Sequence, residues 1–186
     1  MRETLRTGGV KAVSAPQLFP TPPEIARKMI DAADLQPGLC VLEPSAGTGN
    51  LIRPIVSDNS PQFVDTEVLA YEINGELCSL MRQEFPSHRV QVRRADFLEV
   101  SDFAGCYPRV LMNPPFKNGE DIEHIRHAMK FLAPGGRLVA LCANGPRQQA
   151  KLQTIADTWE PLPPGSFKAS GTMVNVAMMT YTKPPE

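Results

Sequence analysis

Leu39-Cys40-Val41-Leu42-Glu43-Pro44-Ser45-Ala46-Gly47-Thr48-Gly49-Asn50 reads as a short buried strand, a tight turn and the opening of a helix. An apolar run without polar alternation suits a strand covered on both faces, the condition of a parallel sheet. Gly47 and Gly49 permit a turn sharp enough for the backbone to approach a ligand closely. The helix that follows, carrying Leu51, Ile52 and Ile55, offers its free N–H groups at the same point. A dinucleotide fingerprint would need a third glycine where Ile52 stands, and a phosphate loop would need Lys where Asn50 stands. Glu43 would repel a pyrophosphate, but it suits a ligand bearing an ammonium group.

Working outward, Pro22-Pro23-Glu24 opens an earlier helix with Ile25, Met29 and Ile30 on one face, closed by Gln36-Pro37-Gly38. Downstream, strands are predicted over 67–71, near 90–92, and over 109–112, 137–142 and 173–182. Helices are predicted over 75–85, over 121–133 with Ile122, Ile125, Met129 and Leu132 on one side, and near 147–157. This alternation predicts an α/β fold built on a mainly parallel sheet. Residues 1–18 are polar and aperiodic and are expected to form a flexible N-terminal arm, with 19–186 as a single domain.

Composition narrows the class further. With 19 Lys+Arg against 20 Asp+Glu the chain lacks the basic excess of a dedicated nucleic-acid binder, although a local basic rim would be averaged away. Cys40, Cys78, Cys106 and Cys142 form no CxxC pair, so zinc is not expected and a reducing compartment is. No apolar run reaches membrane-span length and no signal-peptide core is visible, so the expected location is cytoplasmic. His124 and His127 stand three apart without a third ligand; they are read as solvent-facing, and no metal is assigned. Trp159 is read as a packing residue.

Three further positions bear on a ligand. Glu72 ends the second predicted strand, where a carboxylate can accept both hydroxyls of a ribose, with Ile73 beside it. Asp96-Phe97 follows the third strand: Asp96 can accept from an adenine amino group and Phe97 can cover the ring. With Glu43, Ser45, Ala46, Gly47, Gly49 and Asn50 these residues describe a pocket for a nucleoside carrying an amino-acid tail. Asn113-Pro114-Pro115-Phe116 follows the fourth strand, at the same sheet edge. The prolines fix the backbone and leave their carbonyls free, so Asn113 Oδ1 and Pro114 O can both accept from one planar NH2 group. Two such acceptors draw the nitrogen lone pair out of conjugation and aim it at an electrophile. Phe116 can stack on the planar substrate.

These residues resemble the N6-adenine DNA methyltransferases of the class I S-adenosylmethionine-dependent fold, over about 19–182. Phe19-Pro20-Thr21-Pro22-Pro23 resembles the family's N-terminal cofactor motif, Glu43 to Gly49 its cofactor loop, Glu72 its ribose acid and Asp96-Phe97 its adenine pair. Asn113 to Phe116 resembles the catalytic tetrapeptide, and Phe167 a late aromatic that holds a flipped base. The resemblance implies a Rossmann-like seven-stranded sheet, mostly parallel with the last strand antiparallel, and helices on both faces. It also implies S-adenosylmethionine as cofactor and adenine N6 in DNA as the methyl acceptor. RNA adenine and a protein glutamine amide are alternatives, because both present the same planar NH2; a cofactor-binding subunit without its own activity is a third reading. Family members usually add a target-recognition domain, and none is visible here. Recognition is therefore expected from Lys117, Arg147 and Lys168, or from a partner subunit.

Overall fold

The computed structural model describes residues 19–85 and 88–185; the arm expected over 1–18 lies outside them. Helix α1 (Pro23–Ala33) starts with Pro23 in its first turn and Glu24 beside the free N–H groups, and it buries Ile25, Ala26, Met29, Ile30 and Ala33. Arg109 closes its far end, donating from Nε to Ala33 O at 2.6 Å and from Nη2 to Asp34 O at 3.0 Å. Strand β1 (Cys40–Glu43) leads through the glycine turn into α2 (Ile52–Ser57). Then come β2 (Glu67–Glu72), α3 (Gly75–Glu84), β3 (Val90–Arg94), β4 (Tyr107–Met112), α4 (Glu120–Met129), β5 (Leu132–Ala143), β6 (Thr158–Pro161) and β7 (Val176–Thr182). Asn74 caps α3, its Oδ1 accepting from Glu76 N at 2.9 Å and Leu77 N at 3.2 Å.

The strands form one seven-stranded sheet in the order β3-β2-β1-β4-β5-β7-β6. Pairs from β3 across to β5 are parallel, and β7 is antiparallel to both β5 and β6. The chain builds outward from β1 to β3, then crosses back to lay β4 on the other side of β1. The carboxyl ends of β1 and β4 thus flank the point where strand order reverses, which is where open α/β sheets form a ligand crevice.

Alternating side chains supply two cores. Val41, Leu111, Val139, Leu141 and Met178 face α1 and α2, whereas Leu42, Val110, Met112, Leu138, Ala140 and Met179 face α4. Cys142 is fully buried in the second core, and all four cysteines are free. Trp159 packs against the second core, its Nε1 donating to Asn144 Oδ1 at 3.3 Å.

Several boundaries differ from the predicted ones. The helix expected over 121–133 ends at Met129, because β5 already begins at Leu132. That strand pairs Tyr107 with Leu132 and Arg109 with Arg137, so residues between are looped out. Gly136 makes the detour possible: a Cβ there would stand 2.8 Å from Ala133 O and 2.9 Å from Tyr107 O. In place of a helix over 147–157 there is one turn at Pro146–Gln148, a wider-wound segment at Gln149–Gln153, and then β6, an edge strand that sequence periodicity missed. Pro161 is tolerated in β6 because an edge needs no donor on its outer side. The last strand starts at Val176, leaving Met173 on an exposed loop.

Candidate cofactor and methyl-transfer site

A cavity of about 440 Å³ opens at the carboxyl ends of β1, β2 and β4. The turn after β1 forms its floor. Gly47 and Gly49 adopt left-handed backbone angles, φ +54° and +76°. At Gly49 a Cβ would meet Phe85 Cε2 at 2.7 Å, so position 49 is closed to other residues by both conformation and space. The turn docks on β2 through Ala46 N, which donates to Tyr71 O at 3.0 Å. Glu72 reaches back to hold it: Oε2 accepts from Gly47 N at 2.9 Å, and Oε1 accepts from Asn74 N at 2.7 Å.

Glu43 is 3% exposed, and its Oε2 is shut off from solvent without a hydrogen-bond partner; Ser45 Oγ is in the same condition. Burial pushes the Glu43 carboxyl well above the usual carboxylate range, and the nearby negative charge of Glu72 adds to the shift. Asp96 lies at the third strand end, where its Oδ1 accepts from Leu98 N at 3.0 Å. Glu43, Glu72, Asp96 and Glu120 all line the cavity, and no Lys or Arg does among the described residues. Such a lining favours a cation and disfavours phosphate. The buried acceptor on Glu43 awaits a donor, as the ammonium end of S-adenosylmethionine would provide.

The tetrapeptide forms the opposite wall. Asn113 Nδ2 donates to Phe19 O at 3.0 Å and to Thr21 Oγ1 at 3.1 Å. A carbonyl can only accept, so the amide is oriented with its nitrogen toward Phe19. Asn113 Oδ1 and Pro114 O then receive no hydrogen bond from the described residues. Asn113 and Pro114, which carry these two free acceptors, both line the cavity that Glu43, Glu72 and Asp96 also line. The segment before α1 is itself anchored, with Asn50 Nδ2 donating to Thr21 O at 2.8 Å and Ser170 Oγ to Pro20 O at 2.6 Å.

No protein-family model matches the chain. It is 37% identical over 94 residues to ribosomal RNA small subunit methyltransferase A from Thermosynechococcus vestitus, covering 50% of this chain and 32% of that one. It is 28% identical over 131 residues to tRNA (guanine(6)-N2)-methyltransferase from Thermus thermophilus, covering 64% and 38%. The chain thus spans about a third of the length of the curated relatives it matches. Among solved structures, an S-adenosylmethionine-dependent O-methyltransferase from Thermotoga maritima superposes with a TM-score of 0.66 at 17% identity, over 88% of this chain and 66% of that one. The chain has the class I S-adenosylmethionine-dependent methyltransferase fold. The fold and the relatives together indicate S-adenosylmethionine as its cofactor.

Within this methyltransferase fold the remaining predicted residues fall into two groups. Phe19, Thr21, Ser45, Ala46, Asn50, Ile73 and Phe116 line the cavity with the carboxylates and Asn113. Phe97 also borders it, but its ring is 2% exposed and packs on Tyr71, Phe131 and His127 at centroid distances of 5.8, 5.0 and 4.9 Å. A ring held so tightly on several sides is core. The open apolar surface at this end is Ile73, 63% exposed. Phe167 is likewise core, 1% exposed, with its ring edge-on to Phe116 at 6.5 Å. It supports Phe116 from behind and presents no free face to a base.

Lys117, Arg147 and Lys168 are exposed. Arg147 donates from Nη1 to Asn118 O at 2.8 Å, beside Lys117, and Lys168 directly follows Phe167. None of the three lines the cavity itself. Among the described residues no group of three His, Cys, Asp or Glu could hold a metal ion, and no helix is long and apolar enough to cross a membrane.

The expectation that His124 and His127 face solvent is corrected. Both are half-buried against Phe97; His127 Nε2 lies 2.8 Å from Val100 O, and His124 lines the cavity with its Nδ1 sealed and unpartnered. Burial lowers the His124 pKa, opposed by the charges of Asp96 and Glu120. Sequence reasoning also missed Glu120, although Glu120 and His124, four apart at the start of α4, share one helix face directly after the tetrapeptide. Buried Asp121 was missed too. It accepts from Ala143 N at 2.9 Å and from Gln148 Nε2 at 3.0 and 3.1 Å, tying the start of α4 to the end of β5.

Proposed function

We propose that this chain is an S-adenosylmethionine-dependent N-methyltransferase that modifies an exocyclic NH2 group of a nucleobase. The observation that carries the reading is Asn113, whose nitrogen is committed to Phe19 O and Thr21 Oγ1 while Oδ1 is left as a free acceptor on the wall of a cation-favouring cavity. Bound S-adenosylmethionine supplies an electrophilic methyl group on a positively charged sulfur. Glu43 takes the ammonium end, Glu72 the ribose hydroxyls and Asp96 the adenine amino group. Asn113 Oδ1 and Pro114 O accept the two protons of the substrate NH2, which localises its lone pair for transfer. The methylated nitrogen carries a positive charge and returns its proton to water, so no strong base is needed.

RNA is the polymer favoured by the relatives, one named for ribosomal RNA and one for tRNA. DNA adenine is the second reading, favoured by the likeness of Asn113 to Phe116 to the adenine-methyltransferase tetrapeptide. Incubation with methyl-labelled cofactor and separate RNA, DNA and protein pools tests both. Label in RNA, recovered as an N-methylated base after digestion, is expected. Label in DNA adenine alone moves the assignment to the second reading, and label in protein glutamine alone refutes nucleobase methylation.

A further inference from the structure

We propose that Thr21 is a positioning residue for Asn113: Phe19 O, which can only accept, sets which end of the amide faces the substrate, and the Thr21 hydroxyl takes the second amide proton and holds the side chain in that arrangement. The proposal rests on the N-methyltransferase reading for its catalytic consequence, but not for the contact itself. An asparagine amide has nearly the same shape after a half-turn about its last bond, so packing alone cannot choose which end faces the cavity. The choice matters, because a flipped Asn113 would present two N–H donors to a substrate group that is itself an NH2 donor.

Two acceptors stand behind the amide nitrogen, Phe19 O at 3.0 Å and Thr21 Oγ1 at 3.1 Å. Each takes one of its two protons. Thr21 is 4% exposed, and in Thr21→Val the methyl that replaces the hydroxyl occupies its place without accepting a hydrogen bond. Through its carbonyl the same residue accepts from Asn50 Nδ2 of the cofactor turn at 2.8 Å. One buried residue thus touches the cofactor turn with its backbone and the reacting tetrapeptide with its side chain. The two contacts can be separated by mutation, since only the second depends on the hydroxyl.

Thr21→Val keeps the shape and the backbone carbonyl and deletes the hydroxyl; Thr21→Ser restores it. The first readout needs no activity. Hydrogen exchange of the Asn113 side-chain NH2, assigned in nitrogen-15 spectra by its disappearance in Asn113→Asp, should quicken about tenfold in Thr21→Val, as loss of one hydrogen bond predicts. It should return to within about twofold of wild type in Thr21→Ser. The second readout is kinetic: kcat should fall about tenfold in Thr21→Val while the Kd for S-adenosylmethionine stays within about twofold, with Thr21→Ser recovering most of the loss.

Unchanged exchange in Thr21→Val overturns the proposal. So does a Thr21→Ser variant as impaired as Thr21→Val, which would mean that the methyl packing matters and the hydroxyl does not. A fall in cofactor affinity in step with kcat would put the hydroxyl on the cofactor instead. Absence of methyl transfer by the wild type with every substrate pool sinks the proposed function, and the exchange measurement still decides whether Thr21 holds the Asn113 amide.

Discussion

The cofactor-free protein should hold a proton on Glu43, and binding of S-adenosylmethionine should expel it. Glu43 Oε2 is buried without a partner and Glu72 places a second carboxylate on the same cavity, so ionising Glu43 with nothing to meet it is costly. An arriving ammonium group reverses that balance and makes the carboxylate the favoured form. Titration calorimetry at about pH 6, where an ordinary carboxyl is already ionised, should therefore show an enthalpy that depends on the buffer. The slope against buffer ionisation enthalpy should correspond to net proton release on binding. Glu43→Gln removes both the proton and one charge-assisted hydrogen bond, a loss of about 1.5–3 kcal/mol, or roughly 10- to 100-fold in Kd. The same residue sets a sign for stability. Its folded value lies above its unfolded one, so within that window the native state keeps a proton that the unfolded chain has lost. Without cofactor, stability is greatest below the unfolded value and declines as pH rises toward the folded value, by ~1.4 kcal/mol per unit crossed. Glu43→Gln should remove that decline. Buffer-independent enthalpy in a wild type that binds tightly, or an unchanged slope in Glu43→Gln, would refute the reasoning.

Asn113→Ala should lower kcat on the order of 10²–10³-fold, as removal of a preorganised hydrogen-bonding group does, with cofactor Kd nearly unchanged by calorimetry. Gly49→Ala forces an L-residue into φ +76° with its Cβ against Phe85; thermal unfolding should record a loss of about 2 kcal/mol, roughly 5 °C in Tm, and weaker cofactor binding should accompany it. Replacing Arg147 and Lys168 together by Ala should leave cofactor affinity intact. It should reduce the slope of log binding constant against log salt for an RNA substrate by about 1–2, read by fluorescence titration.

The fold was legible wherever local chemistry and sheet pattern agreed. Leu39 to Asn50 announced β1, the turn and α2, since an uninterrupted apolar run and two glycines leave few other arrangements. The boundaries that shifted are those set by partners distant in sequence. Residues 130–133 look like the end of a helix until Tyr107 and Arg109 are known to pair on either side of the Gly136 detour. Thr158 to Pro161 has no strand-like alternation of its own and becomes β6 only because β7 offers a ladder to its edge.

The candidate site divides along the same line. Glu43, Glu72, Asp96 and Asn113 each end a strand or follow one, so their convergence could be inferred from topology alone. Phe97 and Phe167 could not be placed that way: an aromatic after a strand is equally suited to covering a ligand or filling a core, and the side chains that enclose it decide. Tyr71, His127 and Phe131 enclose the first, and the aliphatic core behind Phe116 encloses the second. The orientation of Asn113 is further still from the sequence. It depends on Phe19 and Thr21, 94 and 92 residues away, reaching across the sheet end to take the two amide protons. What the tetrapeptide can do is therefore written in residues 113–116, but which way its amide points is determined by a segment that the sequence marks as a cofactor motif before a helix, and not as a partner of Asn113.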